Sequence, residues 1–329
     1  MLPHSLSSDF LALPKAELHL HLEGSIEPST VTELAARHGQ TVTEAEARAR
    51  YSYTDFAGFI DAFKWVSSYL RGPEDFALIT RRLAERLRAQ NVVYAELTLS
   101  VGVMLWRKQS AEANFEAMLR AAEEFSRQGL RLRWIFDVTR QFGAEPALRV
   151  AEVSAQYAGE GVVAFGMGGD ELSIPAEEFR EAYDYAAGHG LHRLVHAGEI
   201  GGPQEIRDAI ELLGAERIGH GIAAMHDPAL QDLLAERRIP LEICPTSNLC
   251  TAALAKQLAR DSAAITDHPL PTLLRRGLPI VLSSDDPAMF HTSLLGEYSA
   301  AGAMGLREEE LRRLLAMSFE HAFDGPPPR

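Results

Sequence analysis

The sequence predicts an α/β fold: a (β/α)8 barrel of the TIM type, in which residues 1–329 form one domain and extra helices are inserted after the first strand–helix unit. Two observations predict it. Eight short β-rich runs alternate with amphipathic stretches, and chemistry-bearing residues recur at the C-terminal ends of those runs. The runs are 16–21, 92–99, 132–138, 162–167, 191–195, 217–219, 239–243 and 279–283, each closed by a polar or glycine-containing cluster. Between them, 74–88, 111–127, 146–157, 177–187, 203–213 and 228–237 carry apolar residues at helical spacing. A parallel sheet with crossover helices has this pattern, and eight such units make a barrel. Segment 39–71 is too long for a simple loop and carries Tyr51, Tyr53, Phe56, Phe59, Phe63, Trp65 and Tyr69. These aromatics either pack the inserted helices onto the barrel or line a lid over the mouth of the site. The tail at 325–328, Gly-Pro-Pro-Pro, is expected to be unstructured.

A balance of 32 basic against 46 acidic groups gives a net charge of −14, which argues against a role built on attraction to nucleic-acid phosphates or anionic membranes. Cys244 and Cys250 are too few for a disulfide framework and form no CxxC pair, which fits a reducing compartment. Residues 1–13 lack a basic segment followed by an apolar one, and no run of about 18 apolar residues occurs. The expectation is a cytoplasmic, soluble protein acting on a small molecule, with its oligomeric state open, a homo-oligomer included.

The first run holds Glu17-Leu18-His19-Leu20-His21-Leu22, in which alternation puts His19 and His21 on one face of a strand. Two neighbouring imidazoles turned inward are costly unless something compensates, and a divalent metal does so. His196 follows the run 191–195, His220 closes Arg217-Ile218-Gly219-His220, and Asp285-Asp286 end the last run ahead of Pro287. An acid pair before a proline by itself can be a helix cap. Four strand-end clusters in one chain point instead to a single site, because barrel active sites gather at that end. His19, His21, His196 and Asp285 make a nitrogen and oxygen ligand set suited to zinc or another first-row divalent ion. Glu199, His220 and Asp286 remain as acid, base and orienting groups. Spacing alone reaches metal-assisted hydrolysis and stops there.

These clusters, in this order, resemble the adenosine/adenine deaminase family of the amidohydrolase superfamily. The resemblance runs from Leu13-Pro14-Lys15-Ala16-Glu17-Leu18-His19-Leu20-His21 through Gly169-Asp170-Glu171, His196-Ala197-Gly198-Glu199, Gly219-His220-Gly221 and Cys244-Pro245-Thr246-Ser247-Asn248 to Ser284-Asp285-Asp286-Pro287. It implies one zinc ion per chain on His19, His21, His196 and Asp285. It also implies that Glu199 protonates purine N1, that His220 orients or deprotonates the attacking water, that Asp286 contacts N7 and that the Gly169 N–H contacts N3. Protonation at N1 makes C6 electrophilic, and Glu199 then needs a desolvated setting that raises its pKa.

Two departures from typical adenosine enzymes bear on the substrate. Glu23 stands where many carry an aspartate reaching the ribose 5′-hydroxyl, and Gly166 stands where an aspartate is often found. Three 6-aminopurines therefore compete: adenosine first as the family's commonest activity, then 6-aminodeoxyfutalosine, then adenine. A catalytically inactive binding relative is disfavoured because every ligand and acid–base position is filled. A phosphoesterase or amidase on the same barrel would be separated by ammonia release. His4, His38, His189, His192, His226, His268 and His321 read as solvated or structural, and Cys244 as a small strand-end residue. His291 reads as a surface residue or as a contact to the substrate's far end.

Overall fold

The computed structural model describes residues 5–325; the tail reading at 326–328 and His4 lie outside the described residues. Eight strands form one parallel sheet: β1 (Lys15–His21), β2 (Val92–Leu99), β3 (Arg131–Thr139), β4 (Val162–Gly168), β5 (His192–Ala197), β6 (Arg217–His220), β7 (Leu241–Ile243) and β8 (Ile280–Leu282), in sequential order. Sequential parallel pairing with helical crossovers gives a nearly closed (β/α)8 barrel. The barrel comes round through the residues after β8. The His21 N–H donates to the Asp285 carbonyl at 2.9 Å and the Asp285 N–H to the His19 carbonyl at 3.0 Å. Closure therefore fixes the backbone of three candidate ligands at once.

The crossover helices follow the sequence signals. Pro73–Ala89 starts on a proline with Glu74 and Asp75 in its first turn and ends with Arg86 and Arg88, charges that suit the helix dipole at each end. Residues expected as one helix at 177–187 divide into a 3-10 turn, Ala176–Phe179, and the helix Arg180–Gly188. The inserted segment forms Glu44–Arg50, opened by a Thr43/Glu46 capping box, and Phe56–Ser67, capped by Asp55. Among the described residues no helix is long and apolar enough to cross a membrane.

Strict alternation along β1 would not by itself aim the histidines inward. Ala16 and Leu18 pack with Tyr94 and Val281 inside the barrel, whereas Glu17 and Leu20 face the helix carrying Leu83, Arg86 and Leu87. The pairing of β1 with β2 slips between Glu17 and Leu20. That irregularity shifts the phase by one residue, so His19 follows Leu18 into the interior and His21 follows His19.

Candidate active site

His19, His21, His196 and Asp285 converge at the C-terminal mouth of the barrel. His21 Nε2 lies 3.3 Å from Asp285 Oδ1 and 3.4 Å from His196 Nε2, and His19 Nε2 lies 3.5 Å from Asp285 Oδ1. Four ligands at ~2.0–2.1 Å around one tetrahedral ion stand ~3.3–3.4 Å apart, so the spacing fits a single divalent cation. The buried His19 Nε2 has no hydrogen-bond partner, which an ion would supply. Cys244 also lies within ligand reach of His19 and Asp285. Its Sγ–H donates instead to the Glu242 carbonyl at 3.7 Å, and the nitrogen and oxygen ligands already fill four positions. Asp285 and His220 both have positive φ, 63° and 59°, a conformation that Asp and His tolerate better than most residues and that collects at functional strand ends.

The imidazoles are oriented from behind. The His19 Nδ1 meets Glu242 Oε2 at 2.6 Å and the His196 Nδ1 meets the Met167 carbonyl at 3.0 Å. Each ring then donates from Nδ1 and turns an Nε2 lone pair into the cluster. Glu242 is itself held by the Arg217 Nε at 2.6 Å, and Arg217 continues to Glu96 and lies over the Phe323 ring, 3.6 Å from its centroid. A buried ionic column thus runs from the first histidine to the floor of the barrel.

Glu199 shares the cavity with this cluster. Burial, then the charges of Asp285 and Glu171, lift its carboxyl to about 8. Its loop is held by Glu171. The Gly198 N–H donates to Oε1, and the N–H groups of Glu199 (3.2 Å), Ile200 (3.0 Å) and Gly201 (3.0 Å) donate to Oε2. One carboxylate accepting four backbone donors fixes the peptide that carries the acid.

His220 is aligned by a chain whose direction a backbone group sets. The Leu270 N–H donates to His268 Nδ1 at 3.1 Å. His268 Nε2 must then carry the proton, and it lies 3.2 Å from Asn248 Oδ1. The Asn248 Nδ2 donates to His220 Nδ1 at 3.1 Å, leaving Nε2 as the protonated nitrogen of a neutral His220. That N–H faces Glu199 Oε2 at 3.7 Å and Asp285 Oδ2 at 3.8 Å. Burial drives the His220 pKa down to about 3, so the ring is neutral. The chain favours the orienting half of the expectation for this residue over the deprotonating half.

Asp286 lines the same cavity, and its Oδ1 has no partner. Burial, then the neighbouring Asp285 charge, hold its carboxyl well above the usual range. The approach is so close that a side chain at Gly24 would begin 1.6 Å from that oxygen. Gly169 lines the cavity as expected. Glu23 is not among the lining side chains. Its Oε1 accepts from the Ser100 N–H at 3.1 Å, and it is Ser100 that faces the cavity. The glutamate thus reaches the backbone just after β2.

The cavity occupies about 620 Å³, within the ~300–1,000 Å³ of small-molecule sites. The aromatics of the inserted segment divide between the two readings: Tyr51 and Tyr69 are buried in packing, whereas Phe56, Phe59 and Phe63 line the cavity. His291 is exposed, with Nε2 3.2 Å from the Tyr51 carbonyl, and is not in the lining. Sequence reasoning did not assign Asp137, a buried acid of β3 that lines the cavity beside Gly168. A side chain at Gly166 would begin 3.0 Å from its Oδ1, so the bare backbone of β4 leaves room for this acid.

A family model described as Adenosine deaminase matches residues 14–326. The aminodeoxyfutalosine deaminase of Streptomyces coelicolor is 41% identical, over 99% of this chain and 84% of its own. The crystal structure of an adenine deaminase from Arthrobacter aurescens is 31% identical with a TM-score of 0.86, covering 95% of this chain and 94% of its own. An amidohydrolase from Burkholderia ambifaria, solved with bound zinc, is 25% identical with a TM-score of 0.87, covering 97% and 89%. These likenesses and the converged cluster agree on an aminohydrolase that deaminates a purine-like substrate, and the chain belongs to the adenosine deaminase family.

Proposed function

We infer that the protein converts the 6-amino group of 6-aminodeoxyfutalosine, an aminopurine nucleoside extended at its 5′ end, to a 6-oxo group with release of ammonia, using one zinc ion held by His19, His21, His196 and Asp285. The observation that carries the chemistry is Glu199, a largely buried carboxyl lifted to about 8 beside the ligand cluster. It holds a proton at neutral pH and can give it to ring N1, which makes C6 electrophilic. A divalent cation on the four ligands supplies Lewis acidity and an activated water. The protonated Asp286 suits N7, a ring nitrogen that accepts and cannot donate, and the Gly169 N–H suits N3. His220 orients the attacking water with its Nε2–H.

Adenosine, placed first from the sequence, yields to the extended nucleoside. The relative named for aminodeoxyfutalosine is 41% identical over nearly the whole chain. Free adenine, the substrate in the name of another relative, would fill only the inner part of a cavity that reaches from His196 and Glu199 out to Lys64 and Trp106. Steady-state kinetics on the zinc-loaded protein decide between them. The expected order of kcat/KM is aminodeoxyfutalosine, adenosine, adenine; adenine in first place would overturn the nucleoside reading.

A further inference from the structure

The outer half of the cavity has a chemistry that the deamination centre does not use. Its wall is formed by Phe56, Phe63 and Lys64 of the inserted helix Phe56–Ser67, by Trp106 and Arg107 at the end of the short helix Val101–Trp106, and by Phe142. Trp106 is 69% exposed, one of three large apolar side chains so placed among the described residues. It stacks on Phe142, with ring centroids 6.1 Å apart and planes at 27°. A tryptophan left in water at the lip of a cavity offers a flat face to a ligand.

Arg107 is half-buried behind it. One guanidinium nitrogen donates to the Ser67 carbonyl at 2.5 Å, which ties the two helices together across the mouth. Among the described residues neither Arg107 nor Lys64 has a carboxylate within ion-pair distance, although Arg81, Arg86, Arg207, Arg217 and Arg275 all do. Lys64 and Arg107 thus bring two cations to one cavity mouth with no carboxylate among the described residues in ion-pair contact with either. An arginine stays charged in proteins, so a partly desolvated guanidinium with spare donors is an unmet demand for an anion.

We propose that this mouth is a subsite for an aromatic carboxylate carried on the 5′ end of the substrate, with Trp106, Phe142 and Phe63 against the aryl ring and Arg107 and Lys64 on the carboxylate. The inference rests on the nucleoside reading above and names the residues that recognise the part of the substrate remote from the purine. Arg107 supplies a planar donor fork matched to a carboxylate, and Lys64 supplies a point charge from the solvent side. Glu23, the acid expected from the sequence to repel such a group, turns its Oε1 to the Ser100 N–H at 3.1 Å and is not among the side chains that line the cavity. A 5′-phosphate is the other anion that these cations could take, but it leaves the aromatic wall without a partner.

The test compares Arg107→Gln and Lys64→Gln with the zinc-loaded wild type on aminodeoxyfutalosine, adenosine and adenosine 5′-monophosphate. In Arg107→Gln the ratio of kcat/KM for aminodeoxyfutalosine to that for adenosine is expected to fall ~10–150-fold, the range for a lost hydrogen bond to a charged group. The loss should sit mainly in KM, because the contact is remote from C6 and equal in ground and transition states. Arg107→Lys should recover part of it. An unchanged ratio in Arg107→Gln, with wild type active on aminodeoxyfutalosine, would overturn the subsite and leave the substrate reading standing. A wild type that deaminates adenosine but not aminodeoxyfutalosine would overturn that reading itself, and a preference for the monophosphate would assign the cations to a phosphate.

Discussion

Glu199→Gln is expected to reduce kcat by at least ~10²–10⁴, the usual contribution of a positioned general acid, while the metal content stays at the wild-type level. The amide has the shape of the carboxyl but no acidic proton, so N1 is left unprotonated and C6 stays a poor electrophile. Little else should change. The loop is held through the backbone N–H groups of residues 198–201 on Glu171, not through the Glu199 side chain, whose contact to the Thr251 hydroxyl is long at 3.4 Å. The same acid predicts a pH dependence. Its pKa is raised to about 8, first by burial, so the active form exists below that pKa and is lost as pH rises through it. A cation bound in the cluster pulls the value down, which puts the alkaline limb of kcat/KM at or below about 8. The limb should vanish in Glu199→Gln. Stopped assays of kcat with metal analysis of the same sample check this, and a variant within about threefold of wild type, far short of that scale, would assign the proton to another group.

His196→Ala is expected to lose both the metal and turnover. The ring is turned into the cluster by the Met167 carbonyl at 3.0 Å and its Nε2 stands 3.4 Å from that of His21, so its removal opens one of four positions around the ion. Removing only a supporting group is the calibrating comparison. Glu242→Gln weakens the 2.6 Å contact to His19 without touching the ligand set, and outer partners of this kind are worth ~10–100-fold in metal affinity. His196→Ala should exceed that. Elemental analysis after dialysis against a weak chelator reads both variants; stoichiometric zinc and full activity in His196→Ala would remove the residue from the set.

The barrel was legible because parallel strands buried on both faces read as short apolar runs, and all eight lie where the runs do, in the same order. The ligands were legible because His21 ends a run, His19 shares its strand face, His196 follows a run directly and Asp285 lies two residues beyond the last one. What supports them was not. The irregularity that turns His19 inward after Leu18 leaves no mark in an alternating sequence. Glu242, Asp137 and Arg217 are ionisable residues inside apolar strands, and only their three-dimensional partners show why burying them is tolerable. Glu171 was visible within Gly169-Asp170-Glu171, but a role exercised on the backbone of residues 198–201 has no side-chain signature. His268 read as structural, and it is buried; its place behind Asn248 and His220 depends on a contact spanning 20 positions. Lys64 and Arg107 come from two different connections, after β1 and after β2, which meet only once those two strands pair.

The central claim is that this site removes ammonia from a 6-aminopurine, and its most direct measurement is product stoichiometry. The zinc-loaded protein, given aminodeoxyfutalosine, should release one equivalent of ammonia for each 6-oxopurine formed, and a chelator should stop both while added zinc restores them. Zinc-loaded protein that releases no ammonia from aminodeoxyfutalosine, adenosine or adenine would contradict the account.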